Sequence, residues 1–222
     1  MKVLSFDIGI KNLSYCIVCK DTQKIHDWGI INISCNKECE HINTRNNKCD
    51  KKATFINDNI LLCSQHSKNK KYNCVKKYKN NQNTIFNIGL LLLKKIKEKE
   101  FNKFNIEDVL LENQPCLKNP TMKSIQMILY SHFLSELIDK NIIKKVELIN
   151  ARNKLKAYKG EPINCDIKNK YKKTKYLAIK YCEKMIIEDN QIFIDLFNTS
   201  KKQDDLSDSY LQAIYYINLL IL

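Results

Sequence analysis

Four carboxylates in this sequence occupy positions from which they could act together on metal ions. Asp7 and Glu112 each follow directly after a short apolar run, and Asp205 and Asp208 lie three residues apart near the start of a helix-like segment. Side chains with that spacing project from one side of a helical turn. Carboxylate oxygens are the ligands that Mg²⁺ and Mn²⁺ prefer in proteins. Two such ions, about 3.5–4 Å apart, activate a water molecule and stabilise the leaving oxygen in phosphodiester cleavage.

Each of these carboxylates also has an ordinary interpretation. An aspartate such as Asp7 often caps a turn, an exposed glutamate is usually solvated, and acids in a first helical turn complement the helix dipole. Asp204 is an alternative to Asp205, because Asp204 and Asp208 are four residues apart and share a side of the helix. The metal-site hypothesis rests on the combination, since carboxylates from three separate elements would repel one another without a cation.

The pattern of apolar residues predicts which elements position the carboxylates. Short apolar runs favour strands, and we expect strands over residues 3–6, 13–19, 24–33, 109–111 and 145–149. Asp7 then stands at the tip of the first strand, where a tight turn at Gly9 leads into an antiparallel neighbour. Glu112 also stands at a strand tip, because Pro115 prevents much continuation. Helical spacing predicts helices over residues 84–103, 119–140, from 168 and from 201.

The chain is strongly basic: its 222 residues carry a formal net charge of +14, and 44% of them are apolar. These values suit one ordinary domain with a small insertion. A basic protein of this size most often binds a polyanion, with nucleic acid as the first candidate, although the many Lys, Asn and Ile residues could reflect AT-rich coding. Beside a carboxylate cluster, basic segments fit a phosphate-binding rim better than a solvated face. The lysines that we expect to contact DNA are Lys11, Lys154, Lys172, Lys173 and Lys175.

Neither a secretory signal nor a membrane-spanning segment is expected. The chain runs from Met1 directly into a core strand, and its longest apolar stretches are too short or too interrupted to span a bilayer. We therefore expect an intracellular, reducing compartment for the ten cysteines, where metal binding is more common than disulfide formation.

A lysine- and asparagine-rich segment, residues 34–83, contains five of the ten cysteines. A segment this polar cannot bury enough surface to order itself, so a metal ion would supply the missing stabilisation. The residues expected to bind one structural zinc ion in a closed Cys3His tetrahedron are Cys39, Cys49, Cys63 and His66. Cys35 or Cys74 could replace Cys39. The plainer alternative is a flexible loop with scattered small buried cysteines.

Three sequence motifs, taken together and in order, resemble RuvC-type Holliday junction resolvases, in particular those of poxviruses and related large DNA viruses. The motifs are Phe-Asp-Ile-Gly-Ile-Lys-Asn at residues 6–12, Leu-Glu-Asn-Gln-Pro at 111–115 and Lys-Lys-Gln-Asp-Asp-Leu-Ser-Asp-Ser at 201–209. The resemblance covers nearly the whole chain apart from the cysteine-rich insert, which is similar to an insert in resolvases of some other large DNA viruses.

The resemblance implies a single ribonuclease H-like α/β nuclease domain over residues 1–222, with a mixed five-stranded sheet flanked by helices and a zinc-binding insertion at 34–83. It also implies a homodimer that nicks four-way DNA junctions in pairs with Mg²⁺. A viral protein of this kind would act in the host cytoplasm or at the site of viral replication.

The motifs also assign roles to residues of this chain. The catalytic, metal-binding acids would be Asp7, Glu112, Asp205 and Asp208. Asp205 is preferred to Asp204 because the family's aspartate pair is spaced Asp-x-x-Asp. A catalytic lysine is expected after the fifth strand, where both Lys154 and Lys156 are candidates and Lys156 is preferred.

Three other classes of protein share part of the pattern. An RNA-guided or transposon-encoded nuclease of the same fold has a first strand with Asp-x-Gly-x-Lys-Asn, but it needs a recognition lobe for which this chain leaves no room. An actin-like kinase or ATPase needs further glycine-rich phosphate loops, and this chain has four glycines. A non-catalytic, zinc-bearing DNA-binding module would bind junctions without cleaving them.

Overall fold

The structure, a computed structural model, describes residues 1–79, 84–140 and 143–221. The strands are β1 (Lys2–Ile8), β2 (Asn12–Cys19), β3 (Ile25–Asn32), β4 (Phe55–Asn57), β5 (Ile60–Leu62), β6 (Val75–Lys77), β7 (Ile106–Glu112) and β8 (Lys145–Ile149). The helices are α1 (Ile85–Glu98), α2 (Pro120–Lys140), α3 (Lys170–Met185), α4 (Gln191–Thr199) and α5 (Gln203–Leu220). The chain forms two compact units, Met1–Ile33 with Leu92–Leu222, and Ser34–Leu91.

The first unit is built on a mixed five-stranded sheet in the order β3-β2-β1-β7-β8. The three strands β1 to β3 pair antiparallel, whereas β1, β7 and β8 run parallel. The central strand β1 is buried on both sides at Val3, Leu4 and Phe6, which explains why its sequence is a continuous apolar run rather than an alternating one. With helices packed on this sheet, the predicted fold class is confirmed.

Helix α5 packs on the sheet through buried polar contacts as well as apolar ones. The amide of Gln212 donates hydrogen bonds to Ser5 Oγ (3.0 Å) and to the Phe6 carbonyl (3.2 Å) on β1. The hydroxyls of Ser209 and Ser14 lie 2.9 Å apart. These contacts fix the second and third turns of α5 against β1 and β2.

Two helical features differ from the predictions. Helix α1 ends at Glu98 instead of residue 103, because Glu100 and Asn105 adopt left-handed backbone (φ 49° and 53°) around a short 3₁₀ helix, Phe101–Phe104. That break places Phe101 against Phe6 in the core, with ring centroids 5.8 Å apart. Helix α4 was not predicted at all.

The second unit contains a small antiparallel sheet in the order β5-β4-β6 and a core of a few side chains around Leu62. Residues 80–83 of the predicted insertion lie outside the described residues. Over the parts of the chain that the structure describes, no helix is long and apolar enough to cross a membrane.

Candidate active site

The parallel pairing of β1 with β7 brings two of the predicted acids together. Phe6 pairs with Leu111 in this register, so Asp7 and Glu112 emerge side by side at the carboxyl ends of adjacent strands. Helix α5 contributes Asp205 and Asp208, and all four carboxylates line one cavity of about 340 Å³. A larger cavity of about 550 Å³, beside Ile106 at the other end of β7, contains none of the predicted site residues.

The electrostatics of this cavity favour a bound cation. Burial, followed by repulsion from Glu112 and Asp208, raises the pKa of the Asp7 carboxyl well above its usual value. Burial also raises the pKa of Asp208, to about 6, although the adjacent Lys154 opposes this shift. Hard oxygen donors that repel one another in a confined space are the donor set that Mg²⁺ and Mn²⁺ bind. The residues present therefore fit a divalent metal site.

Lys154 lies among these carboxylates, and Lys156 does not. The Lys154 ammonium contacts Asp208 and is 3.9 Å from Glu112 Oε1, and its side chain is 12% exposed. Burial lowers the pKa of Lys154, but Asp208, Asp7 and Glu112 outweigh that effect and raise it overall. Lys156 is exposed, because residues two apart in the 3₁₀ helix Ala151–Ala157 project in different directions. Of the two candidate lysines, the structure therefore brings Lys154, and not the preferred Lys156, to the carboxylates.

The structure also separates the two neighbouring aspartates at the start of α5. Asp205 lines the cavity with the other acids. Asp204 instead forms an ion pair with Lys175 of α3. Burial raises the pKa of Asp204, but the hydrogen bond from Lys175 more than offsets this and the pKa is lowered.

The lysines expected to contact DNA fall into two groups. Lys154 and Lys175 line the cavity. Lys172 and Lys173, in the first turn of α3, and Lys11, in the turn after β1, are exposed and line no part of it.

Two further residues at the cavity were not assigned a site role from the sequence. A Cβ atom on Gly9 would lie 2.5 Å from the carbonyl oxygen of Asn12, so the tight turn that follows Asp7 needs a glycine there. Gln114 lies two residues after Glu112 and donates a hydrogen bond to it. The sequence could have indicated Gln114 through its spacing from Glu112, because residues i and i+2 of an extended chain project to the same side.

In the second unit, the four predicted zinc ligands lie close together. The Sγ atoms of Cys39, Cys49 and Cys63 and a ring nitrogen of His66 are all within 4.8 Å of one another. His66 Nδ1 lies 3.4 Å from Cys39 Sγ and 3.5 Å from Cys63 Sγ. Zinc–sulfur and zinc–nitrogen bonds of tetrahedral sites imply about 3.6 Å between such ligand atoms. The cluster therefore fits a zinc ion.

The surroundings of this cluster favour the thiolate form of Cys63 and a fixed histidine ring. Burial raises the pKa of the Cys63 thiol, but backbone N–H groups of His66 and Gln65 outweigh that effect and lower it overall. The His66 ring stacks on His41 with centroids 3.9 Å apart, and His41 Nδ1 is 2.9 Å from the Tyr72 hydroxyl. Such outer contacts orient metal ligands.

Comparison with solved structures defines the class of fold. The yeast mitochondrial Holliday junction resolvase Ydc2 is similar over 97% of this chain and 78% of its own, with 17% identity and a TM-score of 0.54. The fowlpox virus resolvase in complex with Holliday junction DNA matches over 100% of both chains, with 18% identity and a TM-score of 0.50. RuvC of Thermus thermophilus, also bound to a Holliday junction substrate, matches over 100% of this chain and 96% of its own, with 9% identity and a TM-score of 0.53. The chain has the ribonuclease H-like fold of the Holliday junction resolvases.

Sequence comparison then identifies the particular family. No protein-family model matches the chain. The uncharacterized protein L451 of Acanthamoeba polyphaga mimivirus is 30% identical, over all of this chain and 75% of the relative. The chain belongs to the same family as that protein, which agrees with the predicted relation to large DNA viruses.

Removing one charge from the cavity should stabilise the protein when divalent cations are absent. Asp7 and Asp208 have pKa values above those of the unfolded chain. The wild type therefore loses stability as pH rises above about 4, and the part due to Asp208 is lost as pH passes about 6. Asp7→Asn removes one of these charges. We expect its melting temperature at about pH 8 in EDTA to exceed the wild-type value by about 3 °C, with a smaller difference at about pH 4. Equal melting temperatures at both pH values, measured by scanning calorimetry, would contradict the repulsion described above.

The cysteine cluster should hold one zinc ion per chain. Elemental analysis of purified Cys63→Ser protein should find the zinc lost, because three remaining ligands bind far more weakly than four. Cys74→Ser is the matched control, since Cys74 lies in the same unit but outside the cluster, and it should retain the ion. If the purified wild-type protein contains no zinc, the prediction that these four side chains bind a metal ion is wrong.

Proposed function

We propose that this chain is a divalent-metal-dependent endonuclease that resolves four-way DNA junctions by paired phosphodiester hydrolysis. The observation that carries the proposal is the set of four carboxylates that line one cavity at the carboxyl ends of β1 and β7, three of which, Asp7, Glu112 and Asp208, act on the largely buried Lys154. The solved structures with this fold, as described above, include two resolvases bound to Holliday junction DNA. The formal net charge of +14 suits a nucleic acid substrate.

In this proposal the carboxylates bind the cations, and Lys154 neutralises part of the negative charge at the site. Asp7, Glu112, Asp205 and Asp208 would hold two Mg²⁺ or Mn²⁺ ions, which when bound would supply Lewis-acid activation of a water nucleophile and stabilisation of the leaving oxygen. Lys154 offsets the negative charge of the carboxylates and of the scissile phosphate, which grows in the transition state. Its burial against Asp208 fixes the ammonium at the cavity.

The lysines around the cavity would contact the DNA backbone on either side of the scissile phosphate. Lys175 lies at the cavity, and Lys172 and Lys173 extend positive charge outward along the first turn of α3. Lys11 adds a further cation beside the turn that follows β1. Exposed lysines of this kind contact phosphates without reading sequence, which suits an enzyme that recognises branched structure.

Two architectural features complete the proposal. Residues 34–83 form a zinc-binding insertion within a single nuclease domain, and Cys39, Cys49, Cys63 and His66 hold its ion in a closed, structural site. The enzyme acts as a homodimer, because a four-way junction has two-fold symmetry and its resolution needs two coordinated cuts.

Symmetric nicking of a labelled synthetic four-way junction in Mg²⁺ is the direct test. Asp7→Asn, Glu112→Gln and Asp208→Asn should abolish nicking and retain junction binding, since these side chains serve to capture the cations. Asp204→Asn is the matched control: it removes a neighbouring carboxylate that pairs with Lys175 and does not itself line the cavity, and it should still cleave. If the wild type binds junctions without nicking them, the chain is a non-catalytic DNA-binding module. If it cuts linear duplex DNA as fast as four-way junctions, it is not selective for branched structure.

The two lysines of the 3₁₀ helix should differ sharply in their effects. Lys154→Ala should lower the nicking rate at saturating Mg²⁺ by about 100-fold or more, because the ammonium next to Asp208 is lost. Lys156→Ala removes an exposed cation two residues away and should leave the rate near that of the wild type. Single-turnover rates of both variants decide the assignment, and a larger loss in Lys156→Ala would reverse it.

A further inference from the structure

Behind Glu112, two glutamines form a buried relay of hydrogen bonds. The side chain of Gln114 is 6% exposed, and its Nε2 donates to Glu112 Oε2 at 2.5 Å. The backbone N–H of Gln114 in turn donates to Oε1 of Gln126, at 2.8 Å. Gln126 lies on α2 and is fully buried. The relay therefore connects a helix of the core to one oxygen of a carboxylate in the cavity.

The orientation of the Gln126 amide follows from its neighbours. Its Oε1 accepts from the Gln114 backbone and also from Lys123 Nζ, at 3.2 Å. A flipped amide would place its NH₂ group against two donors, which excludes that alternative. Among the described residues, Nε2 of Gln126 has no hydrogen-bond partner. The two hydrogen bonds that Oε1 accepts therefore fix the orientation of the Gln126 amide.

The relay gives the two oxygens of Glu112 different surroundings. Oε2 accepts from Gln114, whereas Oε1 lies on the side of Lys154, 3.9 Å from its ammonium. A glutamate side chain has three rotatable bonds, so an unsupported carboxylate samples several orientations. The hydrogen bond from Gln114 removes that freedom, and the bond to Gln126 fixes the backbone that carries Gln114.

We propose that Gln114, held in place by Gln126, is a positioning residue that presents Glu112 Oε1 to a divalent cation. The inference rests on the proposed function, since it concerns the cation site of that enzyme. Outer hydrogen bonds to metal-binding carboxylates contribute about 10–100-fold to metal affinity. The relay meets the requirement for such a role because both glutamines are buried and each donor has one defined acceptor.

The test measures cation binding and cleavage separately. Gln114→Met keeps the length of the side chain and removes its donor, and Gln126→Leu removes the acceptor that holds the Gln114 backbone. Calorimetric titration of the DNA-free protein with Mn²⁺ should show binding weakened about 10–100-fold in Gln114→Met and weakened in the same direction in Gln126→Leu. The Mg²⁺ concentration for half-maximal junction nicking should rise in parallel, and saturating Mg²⁺ should restore most of the rate.

Two control variants separate positioning from stability. Asn113→Ala alters the exposed neighbour of Gln114, whose side chain accepts from Lys123, and should bind Mn²⁺ as the wild type does. Gln126→Glu keeps an acceptor for both donors and should retain the affinity that Gln126→Leu loses. If Gln114→Met does not fold, the pair of Gln126 variants decides the result.

The outcomes are distinguishable from failure of the proposed function. If folded Gln114→Met and Gln126→Leu bind Mn²⁺ as the wild type does and only melt at a lower temperature, the positioning role is wrong. The proposed nuclease function would be unaffected by that result. A wild-type protein that neither binds Mn²⁺ nor nicks junctions would overturn both.

Discussion

Mutual repulsion of carboxylates in a confined space is the constraint on which this structure depends. The parallel pairing of β1 with β7 forces Asp7 and Glu112 together, and α5 adds Asp208 beside them. Burial raises the pKa of Asp7 and Asp208, which means that the folded protein holds these charges at a cost in stability. Lys154 offsets part of that cost, and bound divalent cations would offset the remainder. A site assembled against repulsion in this way is suited to capture cations.

Such a cluster persists only if the elements that carry it cannot move apart. The amide of Gln212 bonds to Ser5 and to the Phe6 carbonyl, one residue before Asp7 and about one helical turn from Asp208. The relay from Gln126 through Gln114 fixes Glu112 in the same manner. Breaking any of these bonds would leave a buried polar group without a partner, which costs more than the bond itself contributes. Buried polar contacts thus specify the geometry of the site, and apolar packing supplies the stability.

The second unit is limited by the small size of its apolar core. Its core consists of a few buried side chains around Leu62, Cys39 and Cys63, too little apolar surface to order a segment rich in lysine and asparagine. The Cys3His cluster lies within that core, so one bound zinc ion would complete it. Metal ligation would then replace apolar burial as the main source of order in this segment.

The sequence by itself predicted the five strands of the large sheet, most of the helices and the residues that gather at the cavity and in the Cys3His cluster, but it did not predict the three short strands β4 to β6. The predicted features depend on local periodicity or on short spacings, as with the buried run of β1 and the Asp-x-x-Asp pair on α5. Only the tertiary structure showed that Lys154, and not Lys156, lies at the cavity, and it separated Asp205, which lines the cavity, from Asp204, which pairs with Lys175. Adjacent side chains on a helix point in different directions, and the direction that meets Asp7 is set by how α5 and the 3₁₀ helix dock on the sheet. The role of Gln126 depends likewise on a contact across 12 residues of chain, which no local pattern records.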